Sequence, residues 1–506
     1  MPNILYDALL APHLGQHTEF LTTPDGQSYS HGGFLDLASQ MAHALTSMGL
    51  TAGDRLAVQV EKSPQALALY AAAVQSGIVF LSLNTAYTVD ELTYFIQDSG
   101  AAMVICDPKR QDQIAEIAAA QQAHVLTLDG NGNGNGSLMT LTERQDKTFT
   151  PVDRSGDDLA ALLYTSGTTG RSKGAMLSHD NLLSNAKALI DTWQFSDQDH
   201  LIHALPIFHT HGLFVASNVS LLAGCRMTFM ARFDLDAVIT AIPQATSMMG
   251  VPTFYTRLLD DPRLTRELTQ KMRLFISGSA PLLAETHVEF EHRTGHRILE
   301  RYGMTETNMN TSNPYDGDRR AGTVGFPLDG VELRISDPET GAPLPQGEIG
   351  SIEVKGPNVF SGYWNMPEKT AEEFRQDGFF ITGDLGVIDQ DGYVSIVGRN
   401  KDLIISGGYN IYPKEIELIL DQQPGVNESA VIGVPHADFG ETVVGIITAN
   451  QGEKPDLDAM MTNVKASLAR FKHPQKLVLI EELPRNSMGK VQKNVLRDTF
   501  KSILDE

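Results

Sequence analysis

The sequence predicts an α/β protein: a large N-terminal domain of doubly wound sheets carrying a small β-rich subdomain, then a small mobile α+β C-terminal domain. Three observations predict it. Helix-like and strand-like segments alternate up to Glu348, the pattern of parallel sheets covered by helices on both faces. After Glu348 the texture shifts to short alternating strands punctuated by glycine. Beyond Gly398-Arg-Asn-Lys-Asp402 lies a compact segment of about a hundred residues, the size of a small domain. At 506 residues the chain is too long for one ordinary core, and the expected division is 1–400 and 401–506.

The elements follow in order. Gly33–Met48 and Ser63–Ser76 have helical periodicity, and Arg55–Val60, Met103–Cys106 and Met272–Ser277 are apolar strand runs. Leu67 to Leu83 is nearly all apolar, but Gln75-Ser76-Gly77 interrupts it. It reads as a buried helix ending at Gly77 and a strand Ile78–Leu83, not as a membrane span. Asn131-Gly-Asn-Gly-Asn-Gly136 is a low-complexity exposed loop. In the β-rich part, Ile349–Lys355, Gly386–Ile388 and Tyr393–Gly398 alternate as strands, and glycine and charge at Gly398–Asp402 mark a hinge.

Composition narrows the function classes. A net charge of −23 opposes a nucleic-acid partner, whose phosphates would repel it. Cys106 and Cys225 are too few for a disulfide scaffold and fit buried thiols in a reducing compartment. Met1-Pro-Asn-Ile-Leu-Tyr-Asp7 lacks the basic and apolar regions of a signal peptide, so a cytoplasmic location without membrane attachment is expected.

The strongest local signal is Tyr164-Thr-Ser-Gly-Thr-Thr-Gly-Arg-Ser-Lys-Gly174, directly after the apolar run Leu159–Leu163. Glycines let backbone N–H groups turn toward an anion, Ser and Thr add short donors, and Lys173 adds a mobile charge. That is the composition of a polyphosphate cradle, although the spacing G-x-x-x-x-G-K-[ST] is absent. Four other segments could carry chemistry but have ordinary readings too. In Tyr302-Gly-Met-Thr-Glu306 a base could stack on Tyr302 while Glu306 holds Mg²⁺, yet alone the segment is a strand-to-turn passage with a solvated Glu. Asp384 in Thr382-Gly-Asp384 could accept from ribose hydroxyls or cap the next turn. His203, His209 and His211 suggest zinc, but no cysteine or carboxylate lies nearby, which favours a structural or pocket-lining role. Arg257 could clamp a carboxylate or pair with Asp260 and Asp261 on its own helix.

Together, in this order and spacing, these motifs resemble the acyl-adenylate-forming enzymes. Tyr164–Gly174 is similar to their phosphate loop, Tyr302–Glu306 to their adenine and Mg²⁺ motif, and Thr382–Asp384 to their ribose motif. Gly398–Asp402 resembles their hinge, and Lys490, in Pro484-Arg-Asn-Ser-Met-Gly-Lys490, their C-terminal catalytic lysine. His203–Leu213, Met249–Leu258 and Tyr302–Asn310 more narrowly resemble the malonyl-CoA synthetases.

The resemblance implies a two-step ligase using ATP, Mg²⁺ and coenzyme A. Malonate and ATP give malonyl-AMP and pyrophosphate, then CoA gives malonyl-CoA and AMP. It implies phosphate binding by Thr165, Ser166, Gly167, Thr168, Thr169, Gly170 and Lys173, with Mg²⁺ on Glu306 and Thr165. Ser279, Ala280, Pro281, Tyr302, Asp384 and Arg399 would hold adenosine, with Lys490, Glu306 and Thr305 catalytic. Arg257, His209, Ser277 and Met304 would bind malonate, and His209, Gly407, Gly408 and Tyr409 would serve CoA, with Lys401 and Asp402 as the hinge. Acylation of Lys490 would remove its charge, making acylating and deacylating enzymes expected partners. The rival readings keep the chemistry on methylmalonate or another short or medium-chain acid, or pass the acyl group to a carrier protein.

Overall fold

The computed structural model describes residues 2–130, 135–165, 172–406, 409–436, 439–468, 470–486 and 489–504; of Tyr409 and Asn410 only the backbone is described. Contacts divide the chain into two compact units. One comprises Met1–Leu333 with Val354–Phe380, the other Arg334–Glu353 with Ile381–Glu506.

The first unit contains two large sheets. A six-stranded sheet runs His124–Thr127, Met103–Cys106, Arg55–Gln59, Val79–Ser82, Leu159–Thr165, Lys173–Ser178. Its strands are parallel except for the last pair, an antiparallel hairpin in which Thr165 faces Lys173. A nine-stranded sheet has Leu299–Met304, Leu274–Ser277, Ser247–Gly250, His200–His203 and Arg226–Phe229 parallel at its centre. At one edge the chain reverses into the antiparallel strand Asn308–Ser312.

Each sheet is sealed by the apolar faces of its helices. Leu92, Phe95 and Ile96 on Val89–Ser99 pack with Ala57, Leu81, Val104 and Leu162 of the six-stranded sheet. Tyr255, Leu258 and Phe290 on two helices pack with Phe275 and Met248 of the other. Central parallel strands buried on both faces explain why they read as continuous apolar runs.

The apolar stretch after Leu67 forms the helix Pro64–Ser76, with all 13 residues buried. Ser63 caps it by accepting from the Ala66 N–H, and Gly77 ends it at φ +67°, a left-handed turn that favours glycine. No helix among the described residues is long and apolar enough to cross a membrane. The earlier helix begins at His31, two residues before the expected start, because the Ser30 hydroxyl accepts from the Gly33 N–H. The expected strand from Met272 begins at Leu274. Cys106 and Cys225 are buried free thiols. Residues 131–134 of the glycine–asparagine loop lie outside the described residues.

In the second unit, Phe380–Ile388 and Val394–Arg399 form an antiparallel pair within a four-stranded sheet. The hairpin Val426–His436/Gly440–Ala449 centres a five-stranded sheet. Ile416 and Leu420 on Pro413–Asp421, with Met460 and Val464 on Leu457–Ser467, join one core cluster. Leu496 on Lys493–Phe500 joins the other, with Ile432, Val434 and Val444.

Candidate active site

The antiparallel edge hairpin of the six-stranded sheet brings Thr165 and Lys173 side by side; Ser166, Gly167, Thr168, Thr169 and Gly170 lie outside the described residues. Thr165 Oγ1 lies 3.5 Å from Glu306 Oε1, donating to it. Two residues that sequence reasoning missed complete the cluster. Tyr363 Oη is 3.0 Å from Glu306 Oε1 and 2.6 Å from Glu373 Oε2. Lys173 Nζ donates to Glu373 Oε1 at 2.8 Å and sits 4.0 Å above the Tyr363 ring. Burial raises the Glu306 carboxyl. Burial also pushes Glu373 upward, but hydrogen bonds from Lys173 and Tyr363 outweigh it and leave Glu373 lowered. A carboxylate, a hydroxyl and a lysine therefore converge where the hairpin turns.

The tight reversal after Leu299–Met304 presents Thr305 and Glu306. A Cβ on Gly303 would fall 1.8 Å from the Asn308 carbonyl oxygen, so the turn closes only around glycine. Asn308 takes φ +51°, and Thr210 Oγ1 donates to its Oδ1 at 2.8 Å. Tyr302 is buried just before the reversal, and Met304 is half-buried. Ser279, in Gly278-Ser-Ala-Pro281, also has a left-handed backbone, φ +72°, with its hydroxyl 3.1 Å from His211 Nδ1. Strain of this kind persists only where the surroundings impose it, and it clusters at functional sites.

The most informative residue was not singled out from sequence. Arg301 is 4% exposed, and its Nε and Nη2 have no hydrogen-bond partner. Among the described residues no carboxylate pairs with it. Its guanidinium lies so close behind Gly278 that a Cβ there would fall 2.3 Å from Cζ. Burial draws it down to about 9. Burial, and then the Arg301 charge, draw His209 down to about 4 and keep His211 neutral. Ser277, 1% exposed, also has an unpartnered hydroxyl.

Arg257 is exposed on Pro252–Leu259, with its guanidinium 5.9 Å from the Phe233 ring centroid. Among the described residues it makes no ion pair with Asp260 or Asp261, the alternative partners on the sequence; Asp261 pairs with Arg263 instead. Among the described residues no group of three or more His, Cys, Asp or Glu is placed to hold a metal ion. His203 is occupied by Lys62, 2.9 Å from its Nδ1.

In the second unit, Asp384 and Arg399 face each other across two strands, with Arg399 Nε 3.2 Å from Asp384 Oδ1. Thr382 Oγ1 accepts from the Asp384 N–H at 3.1 Å and donates to the Ile352 carbonyl at 2.8 Å, fixing the turn at Gly383, φ +73°. Asp402 is bonded to Arg497 at 2.5 Å, while Lys401 is exposed. Asn486 holds the turn of Lys490, accepting from its N–H at 2.9 Å and donating to its carbonyl at 3.0 Å. Burial, then the neighbouring Arg399, brings the Lys490 ammonium down to about 8, against the pull of Asp384 and Asp402. The ribose-motif, hinge and C-terminal lysine residues thus share one electrostatic neighbourhood. Gly407 and Gly408 lie outside the described residues, and Tyr409 opens the strand Tyr409–Ile411.

The AMP-binding enzyme family model matches residues 12–364, and that of the AMP-binding enzyme C-terminal domain matches 415–490. A malonate–CoA ligase of Arabidopsis thaliana is 34% identical, covering 94% of this chain and 86% of its own length. A feruloyl-CoA synthase of an Amycolatopsis species is 35% identical over 94% of this chain and 96% of its own. The crystal structure of ATP-bound MatB from Rhodopseudomonas palustris matches with TM-score 0.97 at 58% identity, over 99% of this chain and 100% of that one.

Proposed function

The chain belongs to the AMP-binding enzyme family, and from that premise we propose that it is an AMP-forming malonate–CoA ligase. Two relatives of similar identity join different acids to CoA, so identity alone does not choose the acid. The observation that carries the choice is Arg301. A buried guanidinium without a counter-ion is costly, and the pocket relieves that cost by accepting an anion. The carboxylate that reacts with ATP is committed to the α-phosphate. A cation deeper in the site therefore calls for a second carboxylate, and malonate is the smallest common dicarboxylic acid with one carbon between its two charges. Arg301 takes the role that sequence reading gave Arg257, with Arg257 left at the exposed mouth. Ser277, Met304 and His209 line the same acid-binding wall.

A carboxylate is already nucleophilic at neutral pH, so the adenylation step needs alignment and charge neutralisation rather than a general base. Lys173, released from Glu373, holds the β- and γ-phosphates together with the donors of 165–170. Buried Glu306 and the adjacent Thr165 hydroxyl would hold a Mg²⁺ ion, which would supply charge neutralisation. Tyr302 and Ser279-Ala280-Pro281 enclose the adenine, and Asp384 with Arg399 takes the ribose. Lys490 bridges the attacking carboxylate and the α-phosphate, with Thr305 beside them.

For the second step we assign a change of conformation to the hinge at Lys401–Asp402, after which Lys490 has no further role and Gly407, Gly408, Tyr409 and His209 serve CoA. The thiol then attacks the acyl carbon and AMP departs. Acylation of Lys490 would abolish the first step by removing its charge; an unmodified Lys490 in mass spectra from all growth conditions would contradict such regulation.

The reading is tested by nucleotide product and acyl-CoA yield with ATP, Mg²⁺, CoA and, separately, malonate, methylmalonate, acetate and octanoate. AMP and malonyl-CoA should form fastest with malonate. Methylmalonate should be partly accepted, since one methyl group supplies only about 1–3 kcal/mol of discrimination. Preference for acetate or octanoate would overturn the dicarboxylate assignment, and ADP as product would overturn the adenylate mechanism.

A further inference from the structure

Lys62 follows the strand Arg55–Gln59 of the six-stranded sheet and immediately precedes Ser63, the cap of Pro64–Ser76. It is 5% exposed, and no carboxylate pairs with it among the described residues. Its Nζ lies 2.9 Å from His203 Nδ1, 2.7 Å from the His203 carbonyl and 2.9 Å from the Leu205 carbonyl. The ammonium also sits 4.2 Å above the Phe229 ring. At the end of the adjacent strand, Ser82 Oγ donates to the Ile207 carbonyl at 3.1 Å. Carbonyls of alternate residues 203, 205 and 207 are thus tied from the six-stranded sheet, although His203 ends a strand of the nine-stranded one.

Hydrogen-bond arithmetic couples the two protonation states. His203 Nε2 is 3.0 Å from the Gly212 carbonyl, which can only accept, and 3.2 Å from the Ser217 hydroxyl, which can donate or accept; with Lys62 charged, hydrogen lies on Nε2. In the neutral ring Nδ1 is then an acceptor, and Lys62 faces three acceptors with no donor among them. Three hydrogens are needed, and only the ammonium has three. Burial draws Lys62 and His203 toward their neutral forms. The charge on Lys62 therefore selects the tautomer: with a neutral amine the ring could turn its hydrogen to Nδ1 and accept from the Ser217 hydroxyl at Nε2, whereas an ammonium at Nδ1 leaves hydrogen only on Nε2.

This chain of contacts has little slack. A Cβ on Gly212 would fall 2.0 Å from the Pro206 carbonyl, so the tied segment and the following turn are in backbone contact. That turn carries His209 and His211. The Leu213 N–H donates to the His209 carbonyl at 3.0 Å, and His211 meets the strained Ser279.

We propose that Lys62 is a positioning residue of the acid-binding wall: its ammonium locks the Nε2–H tautomer of His203 and pins 203–207, and so sets the placement of His209 and His211. The placement of those two histidines beside the acid rests on the functional reading above; the tautomer lock does not.

The test uses the full chain as wild type and as Lys62→Met, Lys62→Gln and Lys62→Arg, with ¹⁵N-labelled histidine and His203 assigned by its loss in His203→Gln. Wild type should show hydrogen on Nε2 and an unprotonated Nδ1. Lys62→Met should mix the tautomers and lower kcat/KM for malonate about tenfold or more, with KM for ATP within about twofold. Lys62→Gln has too few hydrogens and should behave likewise if Lys62→Met fails to fold; Lys62→Arg should restore the tautomer. An unchanged His203 tautomer in Lys62→Met or Lys62→Gln would overturn the proposal, as would equal losses for malonate and ATP. A wild-type enzyme inactive on malonate but with the lock intact would refute the functional reading and leave the lock standing.

Discussion

The phosphate side and the acid side of the first unit handle buried charge in opposite ways. Lys173 has a carboxylate within 2.8 Å, that carboxylate is bonded to a phenol, and the phenol touches Glu306. Every ionic group there has a partner that an incoming polyphosphate can displace or share. Among the described residues, Arg301 is buried with two nitrogens unpartnered, and Lys62 with acceptors but no anion. A paired network tolerates loss of one member modestly, because the alternative partners are close. An unpaired buried cation makes the pocket dependent on the ligand that completes it, and this dependence is what produces selectivity.

The predictions break or sharpen that contrast. The largest effect belongs to Lys490 of the second unit, which has both signs of charge around it and is proposed above to serve the acid and the phosphate together. Lys490→Ala should reduce adenylation by roughly 10²–10³-fold or more, while transfer from supplied malonyl-AMP to CoA stays largely intact. Equal loss in both half-reactions, measured separately, would remove its assigned role. Next is Arg301→Gln, which should lower kcat/KM for malonate by about 10²-fold and leave KM for ATP nearly unchanged. A comparable rise in the ATP requirement would erase the distinction between the two sides.

A pH profile separates them further. Lys490 is charged below about 8 and loses its proton above it. Adenylation should therefore decline as pH rises through that value, whereas transfer from malonyl-AMP should not follow the same curve; a flat adenylation rate to pH 9.5 would contradict the charge requirement. The smallest effects fall on paired or exposed groups. Glu373→Gln should change KM for ATP a few-fold without altering the malonate requirement. Arg257→Ala should cost less than about threefold with malonate, consistent with an exposed cation screened by water. Steady-state kinetics on the two variants checks both, and a large malonate defect in Arg257→Ala would return the distal carboxylate to that residue.

What the sequence disclosed follows from the scale of the signal. Strands such as Met103–Cys106 are read directly because central parallel strands are apolar throughout, and Ser63 and Gly77 mark helix ends through local hydrogen bonding and backbone conformation. Thr165, Lys173 and Glu306 stand out because glycine, hydroxyl and charge cluster within a few residues, and the fold then joins them. Tyr363 and Glu373 belong to the same cluster but lie far along the chain in segments with no unusual composition, so only tertiary structure unites them with Lys173. Arg301 did leave a trace: Glu300-Arg301 places two charges inside the strand Leu299–Met304, directly after the apolar Ile298-Leu299. A charged pair inside a buried strand pattern signals either a partner or a ligand. Glu300 accepts from the Gly322 N–H and lies 3.4 Å from His287 Nδ1, while Nε and Nη2 of Arg301 have no hydrogen-bond partner among the described residues. For Arg257 the helix ends at Leu259, so Asp261 lies beyond it, and Arg263 takes that carboxylate through a local bidentate contact.

The central claim is that Arg301 gives the enzyme its second-carboxylate requirement, and monomethyl malonate tests it most directly because it keeps the reacting carboxylate and lacks the distal charge. The ratio of kcat/KM for malonate over the monoester should be about 10² or more in the wild type and should collapse toward unity in Arg301→Gln, with AMP formation still detectable. A ratio near unity in the wild type, or one that Arg301→Gln leaves unchanged, would contradict the account.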